Sequence, residues 1–382
     1  MTTNGIRDLT DEQARAAFPL KWGAVEPGVL PAWVAEMDFL PAEPIEEALV
    51  AAVRRGSLGY APFGDGGLGE AFAGFAERHW GWTVPAEAVL PTSGVMTGVR
   101  LALEALCPPG PVVVPLPCYP PFRDAVAVTG RELVPVVLDP DSAEATLDLA
   151  AIEAAFAAGA RTFLLCSPHN PLGRAWTHDE LTALADLTRR YDVRVVADEI
   201  HAPLVLPGAT FTPYLTVDPS AVVVTSASKS FNIPAVHGAQ LVLLDPADRA
   251  VVAGLPIPAQ HDWSSLGIVA GVAAWRDCDA WHAALVERLA AQRDRLAELL
   301  AVHLPAARMR PLEATYLAWL DLRAYGVADP AAAGAEHGVR LAPGSDYHPG
   351  LEGHVRLNLA TSPERLERII HAVATALTPT GS

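Results

Sequence analysis

The chain has 382 residues, with 27 basic and 44 acidic side chains and a net charge of −17. That length allows one large domain and a smaller one, while the charge excludes a nucleic-acid footprint and disfavours an anionic membrane surface. No apolar run approaches the roughly 20 residues a membrane span needs, and the opening stretch MTTNGIRDLTDEQARA lacks the pattern of a signal peptide. Cysteines 107, 118, 166 and 278 form no C-x-x-C pair and no metal-like spacing, which predicts reduced thiols, no metal and a cytoplasmic location. In chain order, Leu68 to His79 reads as a helix entered from a glycine-rich loop. Val112-Val113-Val114 reads as a strand, followed by a helical stretch from Cys118 to Val128. Leu133 to Leu138 (strand), Leu147 to Ala157 (helix), Thr162 to Cys166 (strand) and His178 to Arg190 (helix) continue the alternation. Arg194 to Ala197, Ala221 to Thr225 and Ala239 to Leu244 read as three further strands. Short, continuous, Val-rich strands are those of a mostly parallel sheet covered by helices on both faces, predicting an α/β domain over residues 46–278. Residues 263–302 read as mainly helical. Tyr316 to Leu322 (strand), Pro330 to His337 (helix), His354 to Leu359 (strand) and Pro363 to Ala376 (helix) then predict a smaller α+β domain over residues 279–382, joined by residues 1–45.

Gly64-Asp65-Gly66-Gly67-Leu68-Gly69 matches G-x-G-x-x-G letter for letter. A dinucleotide site needs a strand directly before these glycines. Tyr60-Ala61-Pro62-Phe63 is instead a proline-containing turn, and a loop into the next helix is the better account.

The chemistry gathers at the ends of predicted strands, where α/β sheets bind ligands. Ser93-Gly94-Val95 opens a helical stretch and offers backbone N–H groups and a hydroxyl to an anion. Asn170 follows the strand ending at Cys166, and Asp198-Glu199 follows Val195-Val196-Ala197. Lys229 stands among small hydroxyls after Ala221 to Thr225, in TSASKSFNIPAVHGAQ. Singly, each has a plain structural role: Asn-Pro and Gly make turns, Ser93 caps a helix, a strand-end aspartate caps a loop. Together they match the needs of pyridoxal phosphate. A desolvated lysine forms the Schiff base and acts as base. Asp198 suits the pyridinium nitrogen and Asn170 the phenolate oxygen. Ser93, Gly94, Val95 and Ser226 suit the phosphate, and Tyr119 suits the ring face. Arg356, in a strand of the smaller domain, suits the carboxylate of a small amino-acid substrate.

S-x-x-K, N-P-x-G and a D-E pair about thirty residues before the lysine resemble the class I/II aminotransferase-type enzymes, which are fold-type-I pyridoxal-phosphate enzymes. Leu30 to Phe39 (LPAWVAEMDF), Gly59-Tyr60, Asp198-Glu199-Ile200-His201, Lys229-Ser230-Phe231-Asn232 and Thr315 to Asp321 are similar to the bacterial cystathionine β-lyase, or C–S lyase, branch. The likeness runs from about residue 20 to 375. It implies Lys229 as the Schiff-base lysine, Asp198, Asn170, Ser226, Gly94, Val95 and Tyr119 on the cofactor, and Arg356 on the substrate. It also implies a homodimer in which Tyr60 reaches the neighbouring subunit's phosphate, with His201 where ordinary aminotransferases carry tyrosine. Two positions depart from the pattern. His237 stands eight residues after the lysine, where relatives place a basic phosphate ligand; an imidazole is a weaker counter-charge that still donates a hydrogen bond. Leu172 replaces the threonine of N-P-T-G. The residues serve β-elimination and transamination equally, and only the branch resemblance favours the lyase. A non-catalytic binding protein would be expected to lose Lys229, Asp198 or Asn170, and all three are present.

Overall fold

The computed structural model describes residues 5–142 and 145–378. Seven strands form the main sheet, in spatial order Val89–Thr92, Ala239–Val242, Val222–Thr225, Arg194–Asp198, Thr162–Cys166, Val112–Leu116 and Leu133–Val137. Ala239–Val242 runs against both of its neighbours, and the other strands point the same way.

Successive strand residues face opposite sides, so every central strand feeds two apolar layers. Val113, Phe163, Leu165, Val195, Ala197 and Val223 enter one core. Val112, Val114, Leu164, Val196, Val222 and Val224 enter the other. Burial on both faces is why these strands read as continuous Val-rich runs rather than alternating ones. The sequence reading contained no strand at Val89–Thr92, because Pro91 interrupts it. This strand lies at the sheet edge and has one neighbour, where a missing N–H is tolerated. The helix expected from Cys118 begins at Pro121 instead, and Pro117 and Pro120 keep the intervening residues irregular.

The helix Val95–Ala105 lies close on the sheet. A Cβ added at Gly98 would meet Val224 Cγ1 at 2.7 Å. Gly98→Val is therefore expected to destabilise the fold by about 1–3 kcal/mol through overpacking, seen as a lower thermal midpoint; an unchanged midpoint would contradict this packing. Before the helix Leu68–Trp80, the element directly preceding the glycine-rich loop is the helix Glu43–Arg54, not a strand. Asp65 carboxylate oxygens accept from Gly67 N at 3.3 Å and Gly69 N at 2.7 Å, so the motif is a turn that starts a helix.

The second sheet has four strands, in order Ala342–Pro343, His354–Asn358, Leu317–Asp321 and Arg308–Met309, with antiparallel pairing. The helices Asp279–His303 and Pro363–Leu377 cover it through Leu285, Leu289, Leu296, Ile369, Ile370 and Val373. Ile6, Trp22, Leu30, Met37 and Phe39 share that core, which ties the N-terminal segment to the C-terminal part of the chain. Leu30–Pro31 also pairs in parallel with Val339–Arg340.

Candidate active site

The strands ending at Leu116, Cys166, Asp198 and Thr225 leave the sheet at one edge, so the loops that follow them meet there. Asp198 is buried, and its Oδ1 accepts from Ile200 N at 3.0 Å. Burial drives its carboxyl up to about 7, against that hydrogen bond and the nearby Lys229 charge. Glu199 points the other way: buried and pushed up to about 8, it accepts from Tyr214 N at 2.7 Å and serves the fold. Lys229 Nζ donates to Ala35 O at 2.9 Å. Desolvation lowers its ammonium to about 8; Glu36 and Asp198 oppose the shift and Arg356 adds to it. His201 is buried and held down to about 3, first by burial and then by Lys229 and Arg356, so it is neutral. Tyr119 lies half-buried in the same field. Its phenol is raised by desolvation and by Asp198, and lowered by Arg356.

Arg356 approaches from the strand His354–Asn358. Nη1 donates to Asn170 Oδ1 at 3.0 Å and Nη2 to Trp33 O at 2.7 Å, with the guanidinium 5.1 Å from the Tyr347 ring centroid. Because Asn170 Oδ1 is the acceptor, its amide nitrogen is left to donate elsewhere. The Asn170 loop is fixed by Gly173, whose φ of +65° suits glycine and where a Cβ would meet Leu312 Cδ1. Leu172 is buried in the main core beside this turn, so the departure at that position is one of packing.

Ser93, Gly94 and Val95 sit where the strand Val89–Thr92 passes into the helix Val95–Ala105. Ser93 N and Oγ donate to the Asp262 carboxylate at 3.2 and 2.6 Å. Ser226 is buried; its Oγ donates to Gly238 O at 2.6 Å and accepts from Ser228 N at 3.0 Å. The His237 side chain is exposed on a residue with φ of +50°, and Tyr60 is fully exposed. Lys229, Asp198, His201, Tyr119, Asn170 and Arg356 are thus interlinked by hydrogen bonds or charge. Tyr60 is not drawn into that group within one chain.

The sequence places residues 33–39, a strap over Lys229, at the entrance to the site, without their contacts. Tyr316 OH donates to Ala35 O at 2.9 Å, and Asn358 Nδ2 donates to Val34 O and Glu36 O at 2.7 and 2.6 Å. Asn232 takes Met37 N on its Oδ1 and gives its Nδ2 to Met37 O and Phe39 O, each at 2.9 Å. The one available signal was the likeness of LPAWVAEMDF to C–S lyases, which marks the segment without saying what it touches.

A strand-end lysine with a lowered pKa, a buried aspartate and an inward arginine on a second antiparallel lobe are the marks of fold-type-I pyridoxal-phosphate enzymes. The profile of the family described as Aminotransferase class I and II matches residues 34–373. Cystathionine beta-lyase of Corynebacterium glutamicum is 34% identical over 96% of this chain and 98% of its own length. Cystathionine beta-lyase PatB of Bacillus subtilis is 35% identical over 90% and 92%. A crystal structure from Corynebacterium diphtheriae, described as a PLP-dependent beta-cystathionase, superposes with a TM-score of 0.93 at 35% identity, covering 98% of this chain and 99% of that one. The chain belongs to the class I and II aminotransferase family.

The site fits the cofactor of that class by its own donor set. Asp198 is a buried carboxylate suited to a cationic N–H, and the His201 Nδ1 and Arg356 Nε atoms are buried without a hydrogen-bond partner among the described residues.

Proposed function

We propose that this protein is a pyridoxal-phosphate-dependent carbon–sulfur β-lyase. It would convert cystathionine or a related cysteine S-conjugate, with water, to a free thiol, pyruvate and ammonia. The observation that carries the reading is that Lys229 lies within electrostatic reach of both Asp198 and Arg356, in a chain whose full-length relatives are named cystathionine beta-lyases.

When bound, the cofactor supplies a conjugated ring that spreads negative charge from the substrate α-carbon. Lys229 Nζ removes the α-proton, and its lowered proton affinity keeps a working fraction neutral near physiological pH. The resulting ammonium is placed to protonate the departing sulfur. Asp198 would hold the ring nitrogen in its protonated form, Asn170 Nδ2 would donate to the ring oxygen, and Tyr119 would pack against the ring. Neutral His201 packs nearby without adding charge. Arg356 turns its guanidinium from Asn170 and Trp33 to the substrate carboxylate. Gly94 and Val95 would hold the phosphate, with Ser93 and Ser226 joining once their hydroxyls turn from Asp262 and Gly238 O, and with His237 at the rim. Exposed Tyr60 reaches the second subunit of a homodimer. Residues 46–278 carry the cofactor, while residues 1–45 and 279–382 form the closing lobe. Among the described residues, no helix is long and apolar enough to cross a membrane.

Cystathionine and other cysteine S-conjugates should yield pyruvate and thiol in equal amounts without added keto acid. Strict dependence on a keto-acid acceptor would identify a transaminase instead. Capture of the cofactor by the apoprotein should also depend on pH. Only the neutral amine of Lys229 attacks, so the capture rate should fall about tenfold per pH unit below about 8. Protonation of Asp198 adds to the loss below about 7. Stopped-flow absorbance between pH 6 and 9 measures this, and a flat profile would contradict the lowered lysine.

A further inference from the structure

Glu36 lies in the strap over Lys229, one residue after the carbonyl that accepts the lysine ammonium. Its backbone is pinned: the carbonyl accepts from Asn358 Nδ2 at 2.6 Å and Lys21 Nζ at 2.9 Å, and the amide donates to Val34 O at 2.9 Å. The residue is half-buried, and of its two carboxylate oxygens Oε2 is the one that is buried and accepts no hydrogen bond among the described residues. A buried carboxylate oxygen without a donor is costly, and calls for a cation or a proton.

Two cations lie nearby, and neither is at its disposal. Lys21 is fully buried and forms an ion pair with Asp38 Oδ1 at 2.9 Å. Lys229 must be neutral to take the substrate α-proton, so it cannot balance Glu36 at that moment. Arg356 is directed to the carboxylate end of the substrate. Burial already raises the Glu36 carboxyl above the usual carboxylate range, opposed by Lys229 and Lys21. A cation brought in by the substrate would satisfy the carboxylate without consuming the base.

We propose that Glu36 recognises a positively charged group at the far end of the substrate's sulfur substituent, such as the distal ammonium of cystathionine. Arg356 and Glu36 then read the two ends of one molecule, and diamino conjugates are preferred over neutral S-alkyl cysteines. The substrate class rests on the lyase reading, whereas the charge preference rests on the strap.

The test uses wild-type and Glu36→Gln holoenzymes, with Glu36→Asp as a second variant that keeps the charge. Losing one charged hydrogen bond should lower kcat/KM of Glu36→Gln for cystathionine about 10- to 100-fold, and leave S-propylcysteine within about twofold. Glu36→Asp should keep a preference for cystathionine over the neutral conjugate. A second readout needs no elimination: the dissociation constants of L-lysine and L-norleucine, from the absorbance change of the bound cofactor. Wild type should favour lysine about tenfold, and Glu36→Gln should lose that preference. Equal losses for both conjugates would mean that Glu36 acts on Lys229 and would overturn the proposal. Unchanged cystathionine kinetics with an unchanged lysine-to-norleucine ratio would overturn it too. If wild type releases no pyruvate from any conjugate, the lyase reading falls, and the amino-acid binding ratio still decides the role of Glu36.

Discussion

Lys229→Ala is expected to lower kcat for pyruvate release by about 10,000-fold, the upper range for removing a positioned acid–base group. Borohydride should no longer fix the cofactor to the chain. The fold should survive, because the ammonium contributes one described hydrogen bond, to Ala35 O, and Tyr316 OH still donates to that carbonyl. Removing a desolvated amine also relieves a burial cost, so the thermal midpoint of the apoprotein should hold or rise. Mass spectrometry after reduction, steady-state kinetics and a melting curve check the three parts. A variant retaining a tenth of the activity would remove Lys229 from the chemistry.

Arg356→Lys is expected to cut kcat/KM for every amino-acid substrate by about 10- to 100-fold, since two charge-assisted bonds become at most one. Lysine keeps the charge and loses the planar fork, so this change separates geometry from electrostatics. It also removes the bridge from Asn170 to Trp33 O. The loss should fall mainly on KM, because the carboxylate is held alike before and during reaction. Cofactor content, read from absorbance, should remain near that of wild type. Loss of cofactor would instead assign Arg356 to the cofactor rather than the substrate.

Much of this arrangement was legible because it obeys local rules. Strands buried on both faces must be apolar throughout, so Val112–Leu116 and Val222–Thr225 stood out. Asn170, Asp198 and Lys229 stood out because they end such runs or lie in the loops that follow them, where binding residues gather. Val89–Thr92 did not, since Pro91 reads as a break unless the strand is known to lie at an edge. The contacts of the strap were equally hidden. Asn232 grips Met37 across 195 positions and Asn358 grips Glu36 across 322, and no spacing rule links residues so far apart. Asp262, on the N–H and hydroxyl of Ser93 across 169 positions, escaped for the same reason.

The reversed direction of Ala239–Val242 bears on how firmly the lysine is held. Two parallel neighbours need a crossover of a dozen or more residues, often a whole helix. Here the chain returns antiparallel through residues 226–238 without crossing the sheet: Thr225 and Gln240 are paired across the ladder, with Ser226 Oγ bound to Gly238 O just beyond them. Lys229 therefore rides on the loop 226–238, whose two feet stand in adjacent, hydrogen-bonded strands. Inside that loop Phe231 N donates to Ala227 O and Ile233 N to Ser228 O on either side of the lysine, so these two amide hydrogens should exchange with solvent more slowly than that of exposed His237.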